Sequence, residues 1–426
     1  MKLLRFVQVG DIHYPDTSST ALLDYKDGSF PEAIASQAAP IPLQSVFRDV
    51  IRQIQDGVNG ILLHGDLTSK GDLSSYINCV DLIKRIIFLE NNENLNGAIK
   101  LHVVPGNHDV NRSLSVNSEG NFFKKFLPLK ECWDNISPDI FCIDKPLITD
   151  FPVGNSFKLS LISLNSCIGC GEKRFLPSQI ADKLVSIFNN YSREVGKDNA
   201  WELLSEDLDT PAFSNDDIDR ICNYLNDNNI DIAIVSSHHN ILPQALTRIS
   251  LYSEVINAGL VRSRLSRISM PVIYCHGHIH DKPIELVKSS RRDCAPLICV
   301  AAPKADEGYN LINIFIGNNN RALGVFIVNY KIQRDGMVEM DKEYRIPFYS
   351  PMHFNFYGDK RIVNLLSSLN SEYKRVPEII KSLRLKGINW QPNTIFNLIS
   401  EAEWFGIVDV IDGDQEFQFW QIRKIL

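Results

Sequence analysis

The chain has 426 residues, of which 44% are hydrophobic, and it carries a formal net charge of −7 at neutral pH. This length and composition favour a globular protein of two or three domains, and the acidic balance argues against a protein whose main affinity comes from neutralising a nucleic-acid backbone. The apolar patch at residues 1–6 is interrupted by Gln8 and Asp11 before it reaches the length of a signal-peptide core or a membrane span. The sequence therefore predicts a cytoplasmic protein with no membrane partner.

Apolar runs of strand length alternate with helical patterns over the first two thirds of the chain. Strands are predicted over residues 3–9, 60–64, 99–104, 157–164, 231–236 and 272–275, and helices over residues 43–55, 74–90 and 216–228. The first strand lacks a two-residue alternation, which is typical of a strand buried on both faces. This order predicts a layered α/β core.

The segments between and after these elements are less regular. Residues 296–301, 309–316 and 323–332 are predicted to form successive strands of an antiparallel sheet that closes the domain. The stretch 15–42 has no clear periodicity, and the stretch 169–211 contains a helical piece and an acidic loop. Each is either a lid or substrate wall or a plain surface insertion.

The sequence changes character again near residue 339. The stretches 372–383, 393–404 and 407–420 are predicted to form two or three helices, followed by a hairpin around Asp412 and Asp414. This order is compatible with a small winged-helix-like module, although a docking or dimerisation module would have the same pattern. We therefore predict a core of residues 1–338 and a C-terminal accessory module of residues 339–426, helical or winged-helix-like, that serves self-association or a protein partner.

Eight of the ten histidines lie inside or beside five short segments, each of which follows a predicted strand. The segments are residues 10–13, 64–66, 106–109, 238–240 and 277–280. Because binding groups gather beyond the carboxyl ends of such strands, segments that are distant in sequence can converge at one edge. Imidazole and carboxylate are the ligands of dinuclear transition-metal sites, so the pattern predicts metal-assisted hydrolysis.

The nine cysteines are odd in number and scattered, which is typical of free thiols in a reducing compartment. Cys167 and Cys170 form the single C-x-x-C pair. Because no second pair follows at the spacing of a zinc site, we interpret this pair as a loop with two unpaired thiols.

The ordered histidine segments resemble the five-motif signature of the calcineurin-like metallophosphoesterase superfamily, over roughly residues 3–332. The resemblance implies a layered core of two packed β-sheets flanked by helices. It also implies two divalent metal ions, with manganese favoured and iron, zinc or nickel as alternatives.

The resemblance also implies the metal ligands. Asp66 is the natural bridge between the ions, since a carboxylate can bridge two metals and an imidazole cannot. The remaining ligands implied are Asp11, His13 and His280 for one ion, and Asn107, His238 and His278 for the other. His239 is an alternative to His238, and Asn240 stands where family members often have proline.

His108 is assigned to catalysis, because beside Asn107 it can reach the phosphate and protonate the leaving oxygen. Asp109 is expected to orient His108, as carboxylates do for histidines near metals. A water shared by both ions would be deprotonated near neutral pH, and the metal-bound hydroxide would attack phosphorus.

The substrate is less clearly indicated. The spacing of the motifs resembles the cyclic-nucleotide phosphodiesterase and repair-nuclease branches, and Asp109 stands where protein phosphatases usually carry glutamate. We therefore predict hydrolysis of a phosphodiester bond in a nucleotide or nucleic acid. The alternatives are a DNA or RNA nuclease guided by the C-terminal module, and a phosphoesterase subunit that is active only within a partner complex.

Overall fold

The computed structural model describes most of the chain. The described residues are 2–14, 42–69, 71–84, 99–116, 121–134, 140–141, 143–154, 156–171, 209–243, 254–279, 284–288 and 295–425, with a few positions between 180 and 190. The predicted ligand His280 lies outside them, as do residues 15–41, residues 85–90 of a predicted helix and most of the stretch 169–211. None of the described helices has the length and apolar character needed to cross a membrane.

Fifteen strands are described, and they form three sheets. In chain order they are β1 (Lys2–Val9), β2 (Gly60–Leu63), β3 (Lys100–Val103), β4 (Leu147–Val153), β5 (Phe157–Ser163), β6 (Ile232–Ser236), β7 (Val272–His276), β8 (Ile284–Val287), β9 (Leu297–Ala301), β10 (Gly308–Ile316), β11 (Ala322–Ile332), β12 (Val338–Pro347), β13 (Lys374–Arg375), β14 (Val408–Ile411) and β15 (Gln421–Lys424).

Ten α-helices are described, most of them on the outer faces of the large sheets or in the C-terminal part of the chain. They are α1 (Pro42–Gln55), α2 (Leu73–Lys84), α3 (Arg112–Val116), α4 (Leu127–Asp134), α5 (Asn215–Asp227), α6 (Ala258–Leu265), α7 (Phe354–Tyr357), α8 (Arg361–Leu366), α9 (Val376–Leu385) and α10 (Pro392–Trp404).

Two six-stranded sheets form the core. The first has the order β12-β11-β10-β1-β2-β3, and the second has the order β4-β5-β6-β7-β9-β8. The strands β1, β2 and β3 are parallel, and so are β5, β6, β7 and β9, whereas the other strands join antiparallel. The predicted layered α/β architecture, two packed sheets flanked by helices, is confirmed.

The two sheets face each other across an apolar layer. Phe6 and Leu62 of the first sheet share one buried cluster with Leu161 and Ile234 of the second. A second cluster lies between the first sheet and the helices α1, α2 and α4, and a third lies between the second sheet and α5 and α6. Burial on both faces explains why the central strands are continuous apolar runs.

The sequence prediction differs from the structure after residue 295. Residues 296–332 do not form one antiparallel sheet, because β9 pairs parallel to β7 in the second sheet while β10 and β11 continue the first. A short apolar run such as β9 shows that a strand is buried but carries no information about its partner. The strands β4 and β8 were not predicted, and both are edge strands with little full burial.

The C-terminal part begins in continuity with the first sheet. β12 crosses residue 338 and pairs with β11 along its length. The order that follows is α8, β13, α9, α10, β14 and β15, and the three strands form a small sheet in the order β13-β15-β14. The helices predicted over 372–383 and 393–404 and the hairpin are therefore present, whereas residues 407–420 contain β14 and no α-helix. The winged-helix-like character and the division after residue 338 stay predictions.

Candidate metal centre

Five strand ends carry the predicted site residues to one edge of the two sheets. Asp11 and His13 follow β1, Asp66 follows β2, His238 follows β6 and His278 follows β7. The loop after β3 carries the remaining described residues, which are Asn107, His108 and Asp109. The structure brings all of these together, so the convergence expected for strand carboxyl ends is observed.

Asp66 lies at the middle of the cluster and is almost fully buried. Its Oδ2 atom is 3.4 Å from Nε2 of His238 and 3.9 Å from Nε2 of His13. Its Oδ1 atom accepts a hydrogen bond of 2.9 Å from the backbone N–H of His108. The two imidazoles come from the two ligand groups implied by the sequence, so Asp66 stands between them, as a bridging carboxylate must.

His238 is held in the tautomer that a metal ligand requires. Its Nδ1 atom lies 2.5 Å from the carbonyl oxygen of His64, and because a carbonyl only accepts, Nδ1 carries the proton. Nε2 is therefore the nitrogen through which His238 would bind an ion, and it lies 3.0 Å from Oδ1 of Asn107. Between the adjacent histidines, this geometry favours His238 over His239 as the ligand.

The loops after β1 and β7 meet at Asp11 and His278. The buried carboxylate of Asp11 accepts the backbone N–H of His278 at 3.1 and 3.2 Å. One ligand atom each of Asp11, His13 and Asp66 lie within 4.8 Å of one another, and the same holds for His238, His239 and His278. Two adjacent groups of metal-ligating atoms thus occupy this edge.

The backbone at these positions is strained. Of the seven described non-glycine residues with positive φ, four are predicted ligands, namely Asp11, His13, Asp66 and His278. Such conformations cost about 1–3 kcal/mol each and concentrate at functional sites, where the surroundings enforce them. The chain therefore holds these ligands in directions that regular strand ends would not provide.

Two residues that the sequence reading missed fix Asn107. Asp209 accepts a hydrogen bond of 3.2 Å from the side-chain amide of Asn107, and Arg112 donates one of 2.9 Å to the Asn107 carbonyl oxygen. Arg112 and Asp209 also form a buried bidentate ion pair. Arg112 lies five residues after Asn107, but Asp209 comes from the distant acidic stretch and had no sequence signal.

The structure gives Asp109 partners other than His108. Its buried carboxylate accepts the backbone N–H groups of Gly106 and Thr68 at 2.9 and 3.0 Å. Nδ1 of His108 instead donates to the carbonyl oxygen of Ser69 at 3.3 Å. Within the described residues no hydrogen bond joins Asp109 to His108, so Asp109 holds the two ligand loops together in this structure.

The charges of the cluster act strongly on one another. Burial opposes ionisation of Asp66, but the imidazoles of His238, His108 and His13 outweigh it and hold the pKa of Asp66 well below its ordinary value. Asp66 in turn raises the pKa of His108. Burial, followed by the neighbouring Asp66, raises the pKa of Asp109 to about 6.

The residues present fit two divalent cations. The donors are imidazole nitrogens, carboxylates and one amide oxygen, the mixed set that manganese, iron, zinc and nickel accept. His238 directs Nε2 toward Asp66 and Asn107, and Nε2 of the buried His64 has no hydrogen-bond partner among the described residues. Asn107, His108, His13 and His278 are only partly buried, so the cluster is open to a ligand on that side.

Comparison with known proteins supports one family. A sequence model of the calcineurin-like phosphoesterases matches residues 4–282, the region that carries every predicted site residue. A search of curated proteins finds no matching relative.

Solved structures with the same arrangement include several phosphoesterases. PhoD is 10% identical with a TM-score of 0.50, and the alignment covers 82% of this chain and 70% of that protein. A dimetal phosphatase from Danio rerio is 12% identical with a TM-score of 0.44, covering 81% of this chain and 99% of that one. The NAD nucleotidase of Haemophilus influenzae is 10% identical with a TM-score of 0.38, covering 82% and 51%. At these identities, likeness shows the fold alone.

Proposed function

The chain belongs to the calcineurin-like phosphoesterase family, and from this premise we propose that it hydrolyses a phosphodiester bond of a nucleotide or nucleic acid. The position of Asp66 carries the proposal, since its Oδ2 atom lies within 4 Å of imidazoles from both ligand groups. Asp66 would bridge two divalent ions, which when bound supply a nucleophile and neutralise charge on the phosphate.

The side chains of this centre divide into ligands and a catalytic group. Asp11, His13 and the predicted His280 would hold one ion, and Asn107, His238 and His278 the other. His108 is proposed to face the leaving oxygen, because its ring lies 5.1 Å from that of His13 and Asp66 favours its protonated form.

Asp109 is proposed as a positioning residue. It binds the backbone of both the Asp66 loop and the Asn107 loop. Its removal would disturb the distance between a bridging carboxylate and a terminal ligand rather than proton transfer itself.

The preference for phosphodiesters rests on the motif pattern, and a substrate panel tests it. Purified protein with manganese is assayed against cyclic nucleotides, single-stranded and duplex DNA, RNA and phosphomonoesters. Turnover of at least one diester above the monoesters supports the proposal. Monoester hydrolysis with no diester turnover would replace it with a phosphatase function.

Two variants test the assignment of roles. Asp66→Asn and His108→Ala are both expected to reduce hydrolysis of an aryl phosphodiester by at least about 100-fold, but only Asp66→Asn should also reduce bound metal. Asp227→Asn, on the exposed end of α5, is the matched control and should keep both properties. Full activity in either site variant would contradict the proposed mechanism.

One observation favours a nuclease as the second candidate. Lys381, Arg384 and Lys386 are exposed on and after α9, whereas Arg264, in a second basic stretch at residues 262–267, is paired with Asp219 at 3.2 Å. A strand guided by this exposed cluster would bind with strong salt dependence between about 50 and 200 mM. A small nucleotide substrate would show little change over this range.

A further inference from the structure

A second set of metal-ligating atoms lies behind the candidate centre. The Sγ atoms of Cys167 and Cys170 and one ring nitrogen of His239 all lie within 4.8 Å of one another. All three residues are buried, and both cysteines are free thiols. The sequence reading did not connect them, because His239 follows Cys167 by 72 residues.

The local backbone is arranged for two thiols to face the same point. Residues 167–170 form a turn closed by a 3.1 Å hydrogen bond from the N–H of Cys170 to the carbonyl oxygen of Cys167. Gly171 follows with φ of +70°, a conformation that L side chains rarely adopt. C-x-x-C turns of this kind provide two of the four ligands in many zinc sites.

The distances suit a tetrahedral ion. Sγ of Cys167 lies 3.7 Å from Nδ1 of His239. Zinc bonds of about 2.3 Å to sulfur and about 2.0–2.1 Å to nitrogen give a tetrahedral sulfur–nitrogen edge of about 3.6 Å. The Ser166 hydroxyl accepts the backbone N–H of His239 and lies 2.9 Å from its Nδ1, so the hydroxyl proton turns away from Nδ1 when an ion takes the lone pair of this nitrogen.

The turn that carries the two thiols is anchored, and ion binding here leaves the local net charge unchanged. The buried ammonium of Lys125 donates hydrogen bonds of 2.6 Å to the carbonyl oxygens of Ile168 and Cys170, which fixes the turn. Binding of a divalent ion to two thiolates adds no net charge, because two thiol protons leave. The Cys167 thiol donates a hydrogen bond of 3.2 Å to the carbonyl oxygen of Pro105. The ion would take the place of the thiol proton.

We propose that Cys167, Cys170 and His239 bind a third divalent ion of the zinc type, separate from the dinuclear centre. His239 offers Nδ1 to this ion, and its ring centroid lies 4.7 Å from that of His238, edge to face, and 4.5 Å from that of His278. Because its ligands come from both loops, the ion would hold the loop after β5 against the loop after β6. It would thereby restrain the backbone next to His238.

Metal analysis of the full-length protein gives the first test. Protein purified without chelator and supplied with zinc should hold about three ions per chain, and the double variant Cys167→Ser/Cys170→Ser about two. Cys79→Ser is the matched control, since Cys79 is a buried free thiol within α2, and it should keep the third ion. Equal zinc content in the wild type and the double variant would overturn the proposal.

Cobalt provides a test that does not depend on a variant that may fold poorly. The dinuclear centre has only nitrogen and oxygen donors, so a thiolate-to-cobalt charge-transfer band reports the third site alone. The band should appear in the reloaded wild-type protein and in Cys79→Ser.

Two results would contradict the site. One is cobalt binding without this band, and the other is a Cys167–Cys170 disulfide in the purified protein, seen as a mass loss of two hydrogens. Absence of hydrolysis with the band present would instead count against the proposed function and leave this site in place.

Discussion

Asn107 illustrates how one predicted ligand depends on residues that are distant in the sequence. Its amide nitrogen donates to Asp209, so its Oδ1 atom is turned toward His238. Asp209 also accepts the backbone N–H of Gly171 at 3.0 Å. The buried ion pair with Arg112 therefore sets the direction of a ligand atom without touching an ion itself.

Replacing Asp209 should separate this positioning role from general stability. Asp209→Asn keeps the shape but leaves the Arg112 guanidinium buried without its carboxylate, which typically costs about 3–5 kcal/mol. We also expect one of the two ions to bind about 10–100-fold more weakly. Denaturant unfolding and a metal titration measure the two effects.

The control for this change is an exposed pair. Asp134→Asn removes the partner of Lys130 in α4, both partly exposed, and should cost about 0–1 kcal/mol with no change in metal affinity. If Asp209→Asn binds both ions as tightly as the wild type, then Asn107 does not depend on this ion pair.

At the scale of elements, the loops beyond the strands pack too tightly to admit any side chain at Gly106. A Cβ atom there would lie 2.0 Å from Oδ1 of Asp66 and 2.1 Å from its backbone nitrogen. Such a contact is far inside van der Waals distance and involves backbone, so one of the loops must move.

Gly106→Ala should therefore disrupt the centre while leaving the sheets folded. We expect loss of bound metal together with loss of hydrolysis, because Asp66 would be displaced from both ligand groups. Gly259→Ala in α6 is the matched control, since its Cβ would meet nothing within 4 Å, and alanine is favoured over glycine in a helix by about 1 kcal/mol. Normal metal content in Gly106→Ala would mean that the two loops can separate without consequence.

The sequence predicted the elements of the core but not all of their pairings. Strands such as β1 and β6 were recognisable because both faces are buried, and each carries its ligand segment directly after it. The edge strand β4 contains Asp150 and Pro152 with only partial burial, so no continuous apolar run marked it. The pairing of Arg112 with Asp209, and of Cys167 with His239, depends on loop packing, for which a single sequence has no periodic signal.

At the scale of the whole molecule, His102 joins the two sheets. Nδ1 lies 2.8 Å from the Ser163 hydroxyl and Nε2 lies 2.8 Å from the Thr149 hydroxyl, both in the second sheet. Burial, with a smaller effect of Lys100, lowers the pKa of His102 to about 3. The folded protein thus keeps this histidine neutral where the unfolded chain would protonate it.

This difference predicts a loss of stability in mild acid. The pKa of His102 in the folded protein lies below its ordinary value of about 6.5. Its neutral form therefore costs no stability above that pH, and the free energy of unfolding decreases as the pH falls from about 6.5 toward about 3. Between pH 7 and pH 5, His102 alone should lower the free energy of unfolding by about 2 kcal/mol.

Denaturant unfolding of the wild type and His102→Gln at both pH values isolates the contribution of His102. Other buried histidines titrate in both proteins and cancel in the comparison. An equal loss in both proteins between pH 7 and pH 5 would show that His102 does not carry it.

The C-terminal part is joined to the core by a polar and an aromatic contact. The buried carboxylate of Glu401 in α10 accepts the backbone N–H of Asn318, which follows β10, and that of Asp359. Trp404 packs on Phe315, and the guanidinium of Arg345 lies 4.3 Å above its ring. These contacts join α10 to the edge of the first sheet.

The pairing of β12 with β11 predicts where the chain can be shortened without unfolding the core. A chain ending at residue 338 loses β12 and leaves β11, with buried Val325 and Ile327, as an unpaired edge. A chain ending at residue 349 keeps this pairing and loses the contacts of the later residues with the first sheet, those of α10 among them. We expect the longer chain to remain folded and bind metal, and the shorter one to melt at least several degrees lower or aggregate, as measured by thermal unfolding and light scattering. Equal stability of the two truncated chains would place the boundary at residue 338, as the sequence predicted, and would mean that β12 contributes little to the first sheet.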